Sequence, residues 1–363
     1  MKEASYREID YGSFEAALAR SKKLEADLIL HPENYRVLTG DRPTGRLHVG
    51  HLFGSLQNRV RLQHMGVQSY IVIADYQVLT DRESYASIAE NVRQLTIDYI
   101  AAGINPDDGK TFIFPHSHVP ELNQLLLPFL TLVSISELNR NPTVKDEIQA
   151  AGHGRINAGM YTYPVHQAAD ILFCKGNVVP VGKDQLPHLE LTRVIARRFN
   201  ERFALQRPVF PEPQALLSES PLILGLDGSN KMSKSKHNTI MLSATEAETA
   251  AMIRKAKTDA DPHITYDPFN RPEVSNLINL IALASGAIPA AVAESIGNGG
   301  AEKLKRVLTE VLNEYLRPLR ARRKELEGNL DYIRAVLNAG VQQARSIGER
   351  TLLEVRQAMN MEF

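Results

Sequence analysis

The sequence has little of several residue types, and some of these shortages exclude a class of protein. Among its 363 residues there is one cysteine, Cys174, so no internal disulfide can form and nothing indicates an oxidising compartment. Tryptophan is absent, but it is rare in any chain and we attach no weight to this. The hydrophobic content of 43% and charged content of 23% are typical of an ordinary globular protein, and the length suits roughly two or three domains.

Long hydrophobic runs and an excess of charge are also missing. The longest apolar stretch, 125–135, contains Pro128, Thr131 and Ser134, so it is too short to span a bilayer and is predicted to be a buried helix. The first residues lack the apolar segment of a signal peptide, and we expect a cytoplasmic protein with no membrane partner. Since 42 basic residues balance 42 acidic ones, any nucleic-acid contact must come from local patches.

From residue 35 onward, short strand-like runs alternate with longer amphipathic segments. This alternation predicts an α/β fold with a parallel sheet, in which a ligand site lies at the carboxyl ends of the strands. Beyond about residue 246 only helical patterns remain, so an all-helical domain is predicted to follow. The expected strands cover 36–39, 69–75, 111–115 and 177–181, and the expected helices lie around 50–64, 85–102, 120–139 and 162–175.

The first run with chemical content is TGDRPTGRLHVGH, at 39–51. Glycines at 40, 45 and 50 stand where a strand ends and a helix begins, which lets the backbone approach a phosphate or an adenine ring closely. His48 and His51 can both face that pocket, and each can donate a hydrogen bond to a phosphate oxygen. The alternative is a glycine-rich turn with two surface histidines.

The second run is KMSKS, at 231–235. Two lysines and two serines in one loop can stabilise the negative charge that develops on a polyphosphate as it leaves. The alternative is a solvated basic loop, but such a loop does not explain why a methionine, a residue type that is usually buried, lies between the lysines.

A third set of polar residues shares one helical face in YTYPVHQAADILF. Pro164 suits a first helical turn, and Tyr163, Gln167 and Asp170 then stand at positions i, i+4 and i+7. A phenol, an amide and a carboxylate on one face can recognise a specific ligand, or they can form a polar seam between helices.

In VPVGKDQ a strand is predicted to end at Val181 and a helix to start at Asp184. Asp184 is thus a natural N-cap, and it is also well placed to accept hydrogen bonds from ribose hydroxyls. The two roles compete for one carboxylate. We favour the ribose role because the site lies at the carboxyl end of a strand.

HxGH and KMSKS, in this order and separation, are the two signatures of class I aminoacyl-tRNA synthetases, and the sequence resembles the bacterial tryptophanyl branch of that family. The matching blocks are GDRPTGRLHVGH, TYPVHQAADIL, VPVGKDQ and DGSNKMSKS. The resemblance implies a Rossmann-type doubly wound parallel sheet with a C-terminal all-helical domain. The implied division is an N-terminal extension at 1–34, a Rossmann catalytic domain at 35–245, a helical anticodon-binding domain at 246–345 and a C-terminal helix at 346–363.

The resemblance also implies an activity. L-Tryptophan would react with ATP to give tryptophanyl-adenylate and pyrophosphate, and tryptophan would then pass to the 3′ end of tRNA(Trp). The family forms homodimers, and Mg²⁺ is expected to arrive with ATP rather than in a protein-made cage. No resident metal site is expected, since His116 and His118 read as ordinary strand-end residues. The densest basic run comprises Arg317, Arg320, Arg322, Arg323 and Lys324. Such a run is usually a solvated helix face, but in this family the C-terminal helices bind tRNA, so some of these residues are candidates for phosphate contacts.

Roles for individual residues follow from the resemblance. His48, His51, Lys231 and Lys234 are the implied catalytic residues. Asp170 would accept the indole N–H, while Tyr163 and Gln185 would hold the α-amino group. The implied ATP site comprises Arg42, Pro43, Thr44, Gly50, His51, Gly182, Lys183, Asp184, Leu222, Lys231, Met232, Ser233, Lys234 and Ser235. The implied tryptophan site comprises Leu38, Gly40, Tyr163, Gln167, Asp170 and Gln185.

Two positions depart from the family pattern: many tryptophanyl enzymes carry a methionine at Gln167 and a glutamine at Arg42. Tyrosyl-tRNA synthetases of the archaeal and eukaryotic kind share the Tyr-x3-Gln-x2-Asp spacing, so the chain could instead be a tyrosyl enzyme. Leu38 argues against this, since those enzymes place a tyrosine there to share the substrate's hydroxyl. The sequence also leaves open a different nucleotidyltransferase, or a catalytically impaired paralogue with a regulatory or partner-binding role.

Overall fold

The computed structural model describes residues 14–80, 86–145, 157–217, 223–228, 232–233 and 236–363. Its centre is an all-parallel sheet of five strands in the order β3-β2-β1-β4-β5. The chain moves outward from β1 first on one side and then on the other, which is the doubly wound α/β topology that the family resemblance implies. The strands are β1 (Arg36–Asp41), β2 (Gln68–Ile73), β3 (Thr111–Pro115), β4 (Val178–Val181) and β5 (Gln214–Leu217).

The four predicted strands are all present, and β2 shows why they were recognisable. Its alternate side chains enter two different cores, Tyr70 and Val72 on one face and Ile71 and Ile73 on the other. A strand buried on both faces has a continuous apolar sequence. The fifth strand, β5, was not predicted because it is only four residues long and follows three prolines in 208–213, which are typical of a loop.

Helices cover the sheet, and beyond residue 246 the described chain contains helices and turns but no strand, as predicted. A short α turn, Val49–His51, and a π turn, Leu52–Leu56, lead from β1 into α2. The helices are α1 (Phe14–Leu30), α2 (Gln57–His64), α3 (Ile88–Ala101), α4 (Pro120–Asn123), α5 (Leu126–Leu130), α6 (Ile135–Arg140), α7 (Ala158–Leu172), α8 (Leu186–Phe203), α9 (Glu246–Arg254), α10 (Pro272–Ser285), α11 (Pro289–Ile296), α12 (Gly300–Glu327) and α13 (Leu330–Ala358).

The single helix predicted over 120–139 is wrong, because this segment forms three short helices, α4, α5 and α6. Ser134 explains the last break. Its hydroxyl accepts a hydrogen bond from the backbone N–H of Glu137 at 3.2 Å, and the Glu137 carboxylate accepts one from the backbone N–H of Ser134 at 2.8 Å. This capping box starts a new helix inside the predicted one.

The C-terminal helix packs directly on the sheet. α13 crosses β3 so closely that a Cβ atom on Gly340 would lie 1.9 Å from the carbonyl oxygen of Ile113, so only glycine fits at this crossing. α13 is continuous from Leu330 to Ala358, which corrects the predicted start of the last helix at residue 346. Among the described helices, none is by itself long and apolar enough to cross a membrane, although the bent pair Pro272–Ser285 and Pro289–Glu327 meets that test together on length and composition alone.

The described part of the N-terminal extension is an integral layer of the fold. Helix α1 packs on β5, and the hydroxyl of Ser21 accepts a hydrogen bond from the backbone N–H of Leu217 at 2.8 Å. Leu24 and Leu28 are buried in a small core together with apolar residues of β1, β4 and β5. The extension therefore contributes to stability even though it carries no catalytic motif.

We expect Leu28→Ala to lower the free energy of unfolding by about 2–3 kcal/mol, because the side chain is fully buried and its removal leaves a cavity. The neighbouring substitution Ile29→Ala is the matched control, since Ile29 is 63% exposed and should change stability by less than about 0.5 kcal/mol. Urea unfolding followed by circular dichroism measures both. Equal effects of the two substitutions would show that α1 does not pack on the sheet as described.

Candidate active site

The two signature segments are joined through their backbones. His48 and Met241 form an isolated antiparallel bridge. In it the N–H of Val49 donates to the carbonyl of Ile240 at 2.9 Å, and the N–H of Leu242 donates to the carbonyl of Leu47 at 2.9 Å. Since the first segment follows the carboxyl end of β1 and the second follows KMSKS, this bridge brings together two motifs that are far apart in the sequence.

The two histidines of the first signature contact each other. His48 is buried, and the centroid of its ring lies 3.8 Å from that of the half-buried His51 ring. The backbone N–H of His48 donates to Nδ1 of His51 at 3.3 Å. In the neutral ring of His51 the proton is therefore on Nε2, which is the tautomer that can donate to a phosphate oxygen.

Gly50 is the point at which the two signatures touch. A Cβ atom on Gly50 would lie 3.0 Å from the His48 ring and 3.3 Å from Cβ of Met232. Met232 is only 4% exposed and belongs to the core cluster that contains Leu47 and Val49. The methionine between the lysines is thus a buried anchor for the loop, which a solvated loop would not need.

The other described residue of KMSKS, Ser233, is held by a buried amide. Oδ1 of Asn238 accepts a hydrogen bond from the backbone N–H of Ser233 at 2.8 Å, and Nδ2 of Asn238 donates to Oδ1 of Asp227 at 3.0 Å. Asn238 is 4% exposed, and nothing in the motif itself pointed to it. The remaining predicted residues of this segment lie outside the described residues: Leu222, Lys231, Lys234 and Ser235.

Asp41, at the end of β1, centres an ionic cluster that the sequence did not reveal. Its carboxylate accepts hydrogen bonds from the Arg59 guanidinium and the Tyr99 hydroxyl, both at 2.7 Å. Burial alone raises the pKa of Asp41, but the charge and hydrogen bond of Arg59 outweigh it and lower the pKa to about 2. Asp41 is therefore ionised, and its negative charge lies close enough to His51 for the two to interact.

The predicted residues around Asp41 occupy different environments. Leu38 is buried in the hydrophobic core on one face of the sheet, next to Tyr70 of β2. Gly40 has a structural reason to be glycine, since its Cβ would lie 2.1 Å from the carbonyl oxygen of Val72. In the turn that follows, Arg42 is exposed, Pro43 is buried and the partly buried Thr44 donates its backbone N–H to the carbonyl of Arg42 at 2.8 Å.

The three polar residues predicted to share a helical face lie on α7, but Pro164 is not in its first turn as predicted: α7 begins at Ala158, and Pro164 lies inside it. Asp170 is 3% exposed, whereas Tyr163 and Gln167 are half-buried. The carboxylate of Asp170 has a partner that looked like an ordinary strand-end residue in the sequence: Nδ1 of His116 lies 3.0 Å from Oδ1 of Asp170. His116 follows β3 directly, so its place at the carboxyl end of a strand was the signal that could have identified it.

Tyr163 is held by a second buried histidine. Oδ1 of Asn141 accepts the backbone N–H of Thr143 at 3.1 Å, so the amide nitrogen of Asn141 faces Nδ1 of His188 at 3.3 Å and donates to it. Burial lowers the pKa of His188 to about 4, which keeps the ring neutral with its proton on Nε2. That N–H donates to the hydroxyl oxygen of Tyr163 at 3.0 Å.

One group among the described residues, His116, His166 and Asp170, has ligand atoms within 4.8 Å of one another and could hold a metal ion. Both ring nitrogens of His166, however, already face protein amides: Nε2 lies 2.7 Å from Oδ1 of Asn123, and Nδ1 lies 3.1 Å from Nε2 of Gln77. The geometry fits a hydrogen-bonded network better than a metal site, since each ligand atom has a protein partner.

The GKDQ segment differs from the prediction in one respect. Asp184 is not the N-cap of a helix; it lies within a short 3₁₀ turn, Lys183–Gln185, and α8 begins at Leu186 with Gln185 at its N-cap position. The exposed carboxylate of Asp184 is thus not a helix cap, and it does not have to serve both as an N-cap and as a ribose ligand. A Cβ atom on Gly182 would lie 2.7 Å from Oδ1 of Asp184, and the partly buried Gln185 donates to Oδ2 of Asp184 at 3.2 Å.

Comparisons with known proteins identify the family to which the chain belongs. Residues 31–317 match the family described as tRNA synthetases class I (W and Y). The chain is 39% identical over 343 residues to the tryptophan–tRNA ligase of Treponema pallidum, an alignment that covers 90% of this chain and 97% of the relative. It is 40% identical over 336 residues to the tryptophan–tRNA ligase of Clostridium longisporum, with 90% and 97% coverage.

A similar fold is found in the tryptophanyl-tRNA synthetase of Campylobacter jejuni, whose crystal structure contains ADP and tryptophan. The TM-score is 0.75 at 28% sequence identity, and the match covers 90% of this chain and 99% of that one. The likeness therefore extends over both the sheet and the C-terminal helices.

Proposed function

This chain belongs to the class I tRNA synthetases for tryptophan and tyrosine, and from that premise we infer that it is a tryptophan–tRNA ligase. The relatives at 39–40% identity that cover nearly the whole chain act on tryptophan by name. The observation that carries the proposal is the bridge between His48 and Met241, because it joins the segment that contains HxGH to the segment that follows KMSKS, as a shared ATP site would require.

The proposed reaction has two steps. A carboxylate oxygen of tryptophan attacks the α-phosphorus of ATP and expels pyrophosphate, which leaves tryptophanyl-adenylate. The 2′-hydroxyl of the terminal adenosine of tRNA(Trp) then attacks the carbonyl carbon and expels AMP. Neither step needs a dedicated general base, since positioning and charge stabilisation supply most of the catalysis in chemistry of this kind.

On the ATP side we propose that His48 and His51 bind the phosphates, with Lys231 and Lys234 stabilising the departing pyrophosphate. The tautomer of His51, with its proton on Nε2, supports the first role. Mg²⁺ arrives with ATP as part of the substrate. Asp184 is proposed to bind the ribose, and the backbone at Gly50 and Gly182 is proposed to contact the adenosine. The other residues of the proposed ATP site are Arg42, Pro43, Thr44, Lys183, Leu222, Met232, Ser233 and Ser235.

On the amino-acid side we propose that Asp170 accepts the indole N–H and that Tyr163 and Gln185 hold the α-amino group, while Gln167 lies on the same face and Gly40 lines the pocket. The apolar side chain of Leu38 supports tryptophan over tyrosine. A leucine offers the hydroxyl of a bound tyrosine no polar partner, and such a mismatch costs a large factor in specificity.

Two partners complete the proposal. A homodimer is proposed through the segment 125–135, whose Leu127 and Ile135 are each 72% exposed while its Phe129 is buried in the core. The C-terminal helices are proposed to bind tRNA. Within their basic run, Arg323 is excluded from a phosphate contact because it is buried in an ion pair with Asp98.

Amino-acid-dependent ATP–pyrophosphate exchange tests the proposal directly. We expect exchange with tryptophan and much less with tyrosine or phenylalanine. Exchange with tyrosine alone would make the chain a tyrosyl enzyme and would show that Leu38 does not exclude a phenol. A folded protein that binds ATP but shows no exchange with any of the three would be an impaired paralogue.

We expect Asp170→Asn to lower kcat/KM for tryptophan by roughly 10- to 100-fold, because a hydrogen bond to a charged acceptor is worth about 1.5–3 kcal/mol. The KM for ATP should change little. Asp184→Asn is the matched control, since it should raise the KM for ATP and leave tryptophan binding almost unchanged. Steady-state exchange kinetics with either substrate varied separate the two, and an unchanged tryptophan kcat/KM would remove Asp170 from the indole contact.

A further inference from the structure

The side chain of His116 is fully buried between two carboxylates. Nδ1 of the ring lies 3.0 Å from Oδ1 of Asp170 on α7, and Nε2 lies 3.4 Å from Oδ1 of Asp75, which follows β2. The ring therefore connects the carboxyl ends of two neighbouring strands to the helix that carries the proposed amino-acid site.

The direction of these contacts follows from a backbone donor. The N–H of Tyr76 donates to Nε2 of His116 at 3.0 Å. Since a backbone N–H cannot accept a hydrogen bond, the proton of the neutral ring is on Nδ1 and is donated to Asp170. The protonated ring also donates from Nδ1, so the contact with Asp170 is kept in both charge states.

Asp75 in turn holds the segment that carries His116. Its Oδ1 accepts the backbone N–H of Ser117 at 3.1 Å and that of Tyr76 at 3.2 Å, and its Oδ2 accepts the hydroxyl of Ser117. The ring of His116 also contacts the rings of Tyr76 and His166, with centroids 5.4 and 4.8 Å apart. These contacts leave the imidazole little freedom to turn, so the proton on Nδ1 has a defined position.

We propose that His116 is a positioning residue for the amino-acid pocket: by holding Oδ1 of Asp170 it orients the other oxygen toward the substrate ring, and so sets the preference for a ring that carries an N–H donor. This rests on the proposed function, in which Asp170 accepts the indole N–H. A carboxylate fixed in one orientation favours a donor placed at one point, whereas a carboxylate free to rotate adapts to other rings and loses that preference.

The test compares tryptophan with its benzothiophene analogue, in which sulfur replaces the ring N–H, in pyrophosphate exchange. His116→Phe keeps a ring but removes the donor, and we expect the ratio of kcat/KM for tryptophan over the analogue to fall at least tenfold. The KM for ATP should stay within about twofold of the wild-type value. His116→Asn keeps a donor near the position of Nδ1 and should restore part of the ratio. His118→Phe, at an exposed histidine two residues away, is the matched control and should leave the ratio unchanged.

The outcomes separate this inference from the proposed function. If wild-type protein does not exchange with tryptophan, the proposed function fails and the inference fails with it. If wild type is active but His116→Phe lowers both substrates equally, His116 is a structural residue only and the inference alone is overturned. A variant that folds poorly is identified by its thermal unfolding. If His116→Phe is such a variant, His116→Ala, which also lacks the donor, takes its place, and a wild-type ratio of kcat/KM in that folded variant would overturn the inference.

Discussion

Replacing Arg323 with alanine is expected to lower the free energy of unfolding by about 3–5 kcal/mol, the range for removing one partner of a buried ion pair. The Arg323 guanidinium on α12 pairs with Asp98 on α3, and the two side chains are 4% and 0% exposed. The substitution leaves the Asp98 carboxylate buried without its counter-charge. Urea unfolding of the purified variant measures the loss.

The substitution Arg323→Ala should also affect the proposed ATP site. Oδ2 of Asp98 accepts the backbone N–H of Leu47 at 2.8 Å, and Leu47 directly precedes His48 of the first signature. Helix α12 is thus connected through the Asp98 carboxylate to the turn that we propose binds phosphate. We therefore expect the folded fraction of Arg323→Ala to show a higher KM for ATP than wild type, while the KM for tryptophan changes less.

Arg317→Ala is the control within the same basic run. Arg317 pairs with Glu314, but both side chains are about two-thirds exposed, so its loss should cost no more than about 1 kcal/mol. Similar losses for Arg317→Ala and Arg323→Ala would contradict the buried pairing. From the sequence the two arginines are indistinguishable, since both belong to one basic helical run; only the packing of α12 on α3 separates them.

The fold was largely predictable because its pattern is local. A strand buried on both faces, such as β2, is apolar throughout, and the helices beyond residue 246 follow a helical period. The errors have equally local causes. The capping box at Ser134 divides a predicted helix, and the prolines before β5 made that segment resemble a loop. Helix α1 is mostly polar in sequence, because only a narrow stripe around Leu24 and Leu28 is buried.

The candidate site was predictable only where a motif marked it. HxGH, KMSKS and the α7 face stand out in the sequence, but nothing local indicates that Asp41 pairs with Arg59 or that Asn238 holds Ser233. His116 and His188 were missed for the same reason, since their partners lie on other elements. The position of His116 at the end of a strand can be recognised in the sequence, but the contact of each histidine with Asp170 or Tyr163 can be seen only in the folded chain.

We expect Lys234→Ala to lower the rate of adenylate formation by roughly 10²- to 10³-fold, the usual loss when one stabiliser of developing negative charge is removed. Lys234 lies outside the described residues, but its neighbour Ser233 is held by Asn238 and Met232 packs on Gly50. These two anchors hold Met232 and Ser233, the described part of the motif, close to the turn that follows β1. In the proposed mechanism Lys234 is a point charge that stabilises the departing pyrophosphate, so we expect tryptophan affinity to change little.

Lys236→Ala is the matched control for this prediction. Lys236 is exposed and lies two residues beyond Lys234, outside the signature, so the loss of its charge should alter the rate by no more than a few-fold. Single-turnover formation of the adenylate gives the chemical step, and equilibrium binding gives tryptophan affinity separately. An equal loss of rate and of tryptophan affinity in Lys234→Ala would assign the lysine a structural role, because a group that stabilises only the departing pyrophosphate acts in the transition state and not on the bound amino acid.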